Sequence, residues 1–141
     1  FMNYNEFVSN EGLIKFDYSS HLTFVEEEEG TYLFYNEQTG SFRVTPLKLA
    51  NKNFDADKYL RTIADENKGE ILINHKNIKY LFYISSSEYE EDLTIFNWII
   101  AAGNSVIYCS YTIDSVCIND DEIVEEKNEI LKIIENLKLN V

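Results

Sequence analysis

Cysteine, basic residues and long apolar runs are all scarce in this chain of 141 residues. Cys109 and Cys117 lie eight residues apart with no CxxC spacing and no histidine-rich neighbour, so neither a zinc site nor a disulfide framework is indicated. No run reaches the roughly 18 apolar residues of a membrane span, and the first residues lack the charged and apolar regions of a signal peptide. We therefore expect a cytoplasmic location.

Positive charge is the clearest deficit. The chain carries 12 Lys and Arg residues against 25 Asp and Glu residues, which gives a formal net charge of −13. Such a potential repels phosphate groups, and no local stretch of the sequence is basic. We expect neither nucleic acid nor an anionic membrane as a partner, whereas a basic protein would be attracted.

Recognisable catalytic and cofactor motifs are also missing. The sequence has no GxSxG elbow, Walker loop, GxGxxG, HExxH or EF-hand pattern. His21 and His75 lie in or beside strand-like runs and near no motif serine, cysteine or carboxylate pair, which favours ordinary surface or rim positions. The acidic run 26–29 favours a solvated turn over a metal site, because alternate strand residues point in opposite directions. These absences predict a non-enzymatic protein with no cofactor and no metal.

The strongest positive pattern is the stretch 93–113, which reads as two long strands around Gly103-Asn104. Glycine at the first central position suits a type II′ hairpin turn, because that position needs a positive φ. The turn fixes the register and places Trp98, Cys109 and Tyr111 on one nearly all-apolar face, which we assign to the core.

The opposite face of this hairpin is mixed in character. Tyrosine and aliphatic side chains with polar neighbours suit a protein interface. The candidate protein-binding face therefore consists of Asn97, Ile99, Tyr108, Ser110 and Thr112. The alternative is that a helix covers this face and that the acidic residues serve only solubility.

Further strands are predicted on both sides of a first helix. Residues 1–12 show no sustained period and indicate an arm or a short turn. The predicted strands are Leu13–Tyr18, Leu22–Glu26, Thr31–Tyr35 and Phe42–Leu49, the last of them an edge or an interrupted strand because of Pro46. A later hairpin about Lys76-Asn77 would place Ile73 opposite Tyr80 and Ile71 opposite Phe82.

Two helices are predicted. The first is capped by Asp55 and ends at Gly69. The second is capped by Asn119 or Asp120 and has acidic residues in its first turns, where they oppose the helix dipole. Its apolar face consists of Ile123, Ile130, Ile134, Leu137 and Val141.

The order of these elements predicts an α+β fold, with an antiparallel sheet packed against two helices in one domain over residues 1–141. The chain resembles the Mog1/PsbP-like group in four stretches. They are the strand-turn-strand opening 14–25, FDADKYL at 54–60, FNWIIAAGNSVIYCSYT at 96–112 and EILKIIENLKL at 129–139. The opening lacks the proline and tryptophan often found in that group. The resemblance implies a Mog1/PsbP-like α/β sandwich and, since members are mostly binding or assembly factors, a binding function.

Three acidic groups, at 26–29, 88–92 and 120–126, could form a negative rim beside the candidate face. The leading hypothesis is therefore an acidic, non-enzymatic protein-binding module of bacterial type, such as an inhibitor or toxin-immunity protein that meets a basic protein partner by electrostatic steering. The second hypothesis is a small-ligand carrier with a cleft between sheet and helices, lined by Tyr80, Phe82, Trp98 and Tyr111. An enzyme of unrecognised type is a third and weaker interpretation.

Overall fold

The computed structural model describes residues 3–28, 30–87 and 92–140. Within these residues the strands are β1 (Tyr4–Val8), β2 (Ile14–Ser19), β3 (Thr23–Glu28), β4 (Thr31–Tyr35), β5 (Ser41–Lys48), β6 (Glu70–Ile73), β7 (Lys79–Ser87), β8 (Leu93–Ala102), β9 (Ser105–Asp114) and β10 (Lys138–Leu139). The α-helices are α1 (Ala56–Asn67) and α2 (Asp121–Asn136), and short 3-10 helices lie at Asn10–Gly12 and Ser115–Cys117.

The described strands form two antiparallel sheets. The large sheet has seven strands in the order β3-β4-β5-β9-β8-β7-β6, and the small sheet has the order β1-β2-β10. One face of the large sheet, here called the inner face, packs against α2 and the small sheet through one extended hydrophobic core. The other face, here called the outer face, carries α1 over a smaller core. The predicted α+β sandwich is therefore confirmed.

The central hairpin has the predicted register throughout. Trp98 pairs with Cys109 and Phe96 pairs with Tyr111, and Gly103 has a φ of +59° as the tight turn requires. Trp98 and Tyr111 both lie in the inner core. No helix among the described residues is long and apolar enough to cross a membrane.

The opening of the chain differs from its prediction in two respects. Residues 4–8 form a strand that pairs with β2, although no period marked them, because Phe7 reaches the core and contacts Phe16 and Phe34. The runs predicted as the first strands, now β2 and β3, belong to different sheets. The strand-turn-strand opening is therefore a connection between two sheets.

Pro46 lies near the end of β5, opposite Ile107 of β9. The other neighbour, β4, pairs only with residues 41–44 of β5. The proline thus lies where β5 has a strand on one side only, which agrees with its predicted edge character.

The hairpin between β6 and β7 has a different register from the prediction. Leu72 pairs with Tyr80 and Ile71 pairs with Leu81, because the loop spans Asn74–Ile78. The side chain of Asn74 accepts hydrogen bonds from the backbone N–H groups of residues 76 and 78, at 2.9 Å each, and donates one to the carbonyl of Ile134 in α2. A buried asparagine therefore sets this turn, and the predicted pairs Ile73/Tyr80 and Ile71/Phe82 were wrong.

The helix ends largely match their predictions. Asp55 caps α1 by accepting from the N–H of Lys58 at 3.0 Å, while the left-handed residue at its end is Lys68 and not Gly69. Asp120 precedes α2. Ile123, Ile130, Ile134 and Leu137 are buried as predicted, with Leu137 following the last helical residue, whereas Val141 lies outside the described residues.

Candidate functional site

Helix α1 covers only one end of the outer face. Its Leu60 is fully buried against Leu81, Ile99, Ala101 and Val106 of the sheet. Ile99 is only 5% exposed, so its assignment to an accessible binding face was wrong. The predicted alternation of side chains along the hairpin was correct. That alternation does not reveal that α1 lies over Ile99.

The rest of the outer face is not covered by α1, and its side chains are all partly or fully exposed. The strand pairing arranges them in two rows that cross the sheet. These rows, here called the open half-face, consist of Val25, Leu33, Arg43, Ser110, Asn97 and Tyr83 and, beside them, Thr23, Tyr35, Ser41, Thr112, Ile95 and Ser85. Asn97, Ser110 and Thr112 of the predicted site therefore lie together on it.

Two tyrosines border the covered end of the outer face. Tyr108 is 36% exposed, and its hydroxyl group is hydrogen-bonded to that of Tyr59 on α1. Burial, followed by this hydrogen bond, raises the pKa of Tyr59 above its ordinary value. Tyr83 packs against the edge of the smaller core that lies under this helix. Tyr108, a predicted site residue, thus lies at the edge of the open half-face and links it to α1.

The open half-face is almost uncharged at its centre. Arg43 forms a two-pronged ion pair with Glu27, with Nε to Oε1 at 2.8 Å and Nη2 to Oε2 at 3.1 Å. The hydrogen bond from Arg43 lowers the pKa of the Glu27 carboxyl. Asn97 donates through Nδ2 to Ser85 Oγ at 3.0 Å and to the carbonyl of Ile95 at 3.2 Å. The centre is consequently neutral and contains tyrosine, hydroxyl and aliphatic groups.

Acidic side chains lie at one end of this surface, although not all of those predicted. Asp92 and Asp114 are exposed where β8 and β9 meet beyond the second row, and Glu37 is exposed in the loop between β4 and β5. Residues 29 and 88–91 of the predicted rim lie outside the described residues. The acidic start of α2 flanks the inner face instead, because α2 packs on that side.

Glu126, predicted to belong to the acidic rim, is buried, with 3% of its surface exposed. Its Oε1 accepts from the hydroxyl of Tyr111 at 2.8 Å and from the N–H of Gly40 at 3.1 Å. Its Oε2 accepts from the hydroxyl of Thr39 at 2.7 Å and meets His21 Nε2 at 3.1 Å. Four donors from the sheet and its loops thus anchor α2. The rim assignment of Glu126 was wrong.

His21 continues this network towards Ser19, whose Oγ lies 2.6 Å from His21 Nδ1. Because the carboxylate of Glu126 can only accept, His21 donates through Nε2, and in the neutral ring its Nδ1 accepts from Ser19. Serine, histidine and carboxylate in series are also the components of hydrolase triads. Here Ser19 is only 6% exposed, and the carboxylate is already bound to three other donors, so we interpret the series as an anchor. His75, 69% exposed, is a surface residue as predicted.

Glu129 lies one turn after Glu126, and its Oε2 is buried without a hydrogen-bond donor among the residues that the structure describes. Burial raises the pKa of the Glu129 carboxyl. The charge of His21 lowers this pKa, and the carboxylate of Glu126 raises it further. A carboxyl whose folded-state pKa is raised stabilises the fold below its unfolded-state pKa and loses that contribution as the pH rises through the folded-state value.

Glu129→Gln should therefore become progressively more stable relative to the wild type as the pH is raised. Urea denaturation of both proteins between pH 4 and pH 8 measures this difference. The exposed neighbour substitution Glu125→Gln is the control and should show a flatter dependence. A stability difference for Glu129→Gln that falls with rising pH would contradict the assignment.

The cleft proposed for a small ligand does not occur where the sequence placed it. Tyr80, Trp98 and Tyr111 are buried in the inner core, and Phe82 packs against that core with its ring 5.7 Å from that of Trp98. No group of three or more His, Cys, Asp or Glu side chains suited to a metal ion was found in ranges 3–28, 30–87 and 92–140.

This arrangement of sheets and helices defines an α+β sandwich of the PsbP type. The solution structure of PsbP (CyanoP) from Synechocystis sp. PCC 6803 is similar over 97% of this chain and 92% of that one, with 9% identity and a TM-score of 0.58. A crystal structure from Bacteroides thetaiotaomicron VPI-5482 is similar over 96% of this chain with 23% identity and a TM-score of 0.77, and the chain spans 48% of that protein's length.

The chain belongs to the family DUF3805, a domain of unknown function, whose model matches residues 2–140. A comparison with curated protein sequences gives no match. The structural likenesses lie below 25% identity and so concern the fold alone.

Proposed function

We propose that this protein is an acidic, non-enzymatic protein-binding module and that its docking surface is the open half-face. The observation that carries the proposal is that α1 leaves half of the outer face uncovered although that half contains Leu33, Ile95 and Tyr35. Tyrosine, aliphatic and hydroxyl groups without net charge are the composition of the central part of many protein interfaces.

The partner is proposed to be a basic protein. The chain has a formal net charge of −13, and the carboxylates of Glu37, Asp92 and Asp114 lie at one end of the neutral surface. A partner with an apolar centre and lysine or arginine at its edge would complement both parts and would be steered towards the acidic end. Inhibition or neutralisation of such a partner, as by an immunity protein, is the function class that we propose.

Ile95→Lys tests this proposal, because it places a positive charge on the open half-face, between Thr112 and Ser85. Leu131→Lys adds the same charge at an exposed leucine of α2 and is the matched control. Captures from the native host should recover a basic protein with the wild type and with Leu131→Lys, and about tenfold less of it with Ile95→Lys. Recovery should fall further as salt is raised.

Equal recovery by wild type and Ile95→Lys would refute the docking surface. Recovery of an acidic partner, or recovery that does not change with salt, would refute the electrostatic part. Circular dichroism of each variant establishes that the fold is retained.

A Mog1/PsbP-like family relationship and a cytoplasmic location complete the proposal. The fold likeness to PsbP supports the first. The two free thiols, Cys109 in the core and Cys117 near the surface, suit a reducing compartment and support the second.

A further inference from the structure

A groove of about 410 Å³ lies between α2 and the small sheet, away from the open half-face. One wall is the helix surface of Glu129, Ile130 and Ile133, and the other is formed by Phe16 and Tyr18 of β2. These apolar side chains are largely buried and belong to the inner core. The groove therefore has a firm apolar floor and a volume within the range of small-molecule sites.

Four lysines line this groove, although the whole chain has only 12 basic residues. Lys15 is paired with Glu6 at 3.2 Å. The other three are Lys76, Lys132 and Lys138, which come from the β6–β7 loop, from α2 and from β10.

Among the ion pairs of the described residues none involves Lys76, Lys132 or Lys138. Three carboxylates also line the groove, those of Glu6, Asp17 and Glu129. Glu6 is the partner of Lys15. Three elements thus contribute lysines to the lining of one groove in a strongly acidic protein.

Glu129 also lines the groove, but its Oε2 is buried and lies 3.9 Å from His21 Nδ1, beyond hydrogen-bond distance. A ligand in the groove does not reach a buried oxygen, so Oε2 is not an acceptor of the site. The groove therefore combines lysines in its lining with an apolar floor.

We propose that this groove binds a small organic anion that has an apolar, preferably aromatic, body. The anionic group would lie among Lys76, Lys132 and Lys138. The site is separate from the open half-face, so this inference does not depend on the protein-binding proposal.

Indole-3-acetate is a suitable probe because it has a carboxylate and an aromatic body. Titration followed by 1H–15N correlation spectra should shift the amide signals of β2 and of residues 129–136. Neutral indole should bind about tenfold more weakly if the lysines hold the anion. Naphthalene-1-acetate, which keeps both the carboxylate and an aromatic body, should bind about as well as indole-3-acetate, and phenyl phosphate tests whether phosphate replaces carboxylate.

The variant Lys132→Ala/Lys138→Ala should weaken indole-3-acetate binding by about tenfold or more. The control Lys48→Ala/Lys58→Ala removes the same charge from exposed positions outside the lining of the groove and should leave the affinity within about twofold. Groove amides that respond to neither indole-3-acetate nor phenyl phosphate would overturn the proposal. Equal weakening by both lysine pairs would reduce it to a general charge effect and would overturn it as well.

Discussion

Replacement of Glu126 by alanine is expected to lower the free energy of unfolding by about 2–6 kcal/mol, because each of two buried donors left without an acceptor costs about 1–3 kcal/mol. The substitution would leave the hydroxyl of Tyr111 and the N–H of Gly40 without their acceptor, and both are buried. Unsatisfied buried donors cost more than the lost hydrogen bonds themselves. Urea denaturation at 25 °C measures the change.

Two comparison variants make this result specific to the network. Glu126→Gln keeps one acceptor oxygen and should lose less stability than Glu126→Ala. Glu122→Ala changes an exposed residue one turn earlier in α2 and should alter stability by no more than about 0.5 kcal/mol. A loss below about 1 kcal/mol for Glu126→Ala would show that the four donors find other partners.

The second large effect is expected at Gly40, which precedes β5 beside the same network. A Cβ at this position would lie 2.5 Å from Cε1 and 2.7 Å from Cζ of Tyr111, and 2.8 Å from Cγ2 of Ile113. Neither side chain can move freely, because both are buried and the Tyr111 hydroxyl is bound to Glu126. Gly40→Ala should therefore destabilise the protein by about 2–3 kcal/mol through overpacking.

Thermal and urea denaturation of Gly40→Ala measure this effect. The φ angle of Gly40 is not positive. Backbone strain therefore does not contribute to the loss of stability, and the cost is steric. Ser41→Ala, at the adjacent position, adds no atom and should stay within about 0.5 kcal/mol of the wild type. If Gly40→Ala is as stable as Ser41→Ala, Tyr111 must have room to shift.

Local geometry could be predicted well from the sequence where residues of the same short segment determine it. The glycine at the centre of residues 93–113 determines a two-residue turn, and the turn determines all pairs from Thr94/Ile113 to Ala102/Ser105. The loop at Asn74 could not be predicted in the same way, because its length depends on hydrogen bonds from one side chain and on contact with α2.

The candidate site was predicted less completely, for a related reason. The alternation of β8 placed Asn97 and Ile99 on one face, but only the packing of α1 separates the exposed residue from the buried one. Glu126 meets His21 and Thr39 across 105 and 87 residues of chain. A single sequence contains no direct sign of such contacts. The helical spacing of α2 does place Glu126 on the same face as its isoleucines, and this is the one indication that Glu126 is buried.

The strand order of the large sheet has a consequence for how the protein folds. Strands β3 to β5 and strands β6 to β9 each follow one another as neighbouring hairpins, and only β5 and β9 join the two groups. Hairpins between adjacent segments close with a small loss of chain entropy, whereas Ser41 must find Thr112 across 70 intervening residues. The two ribbons should form early, and their meeting along β5 and β9 should be the slow step that sets the folding rate.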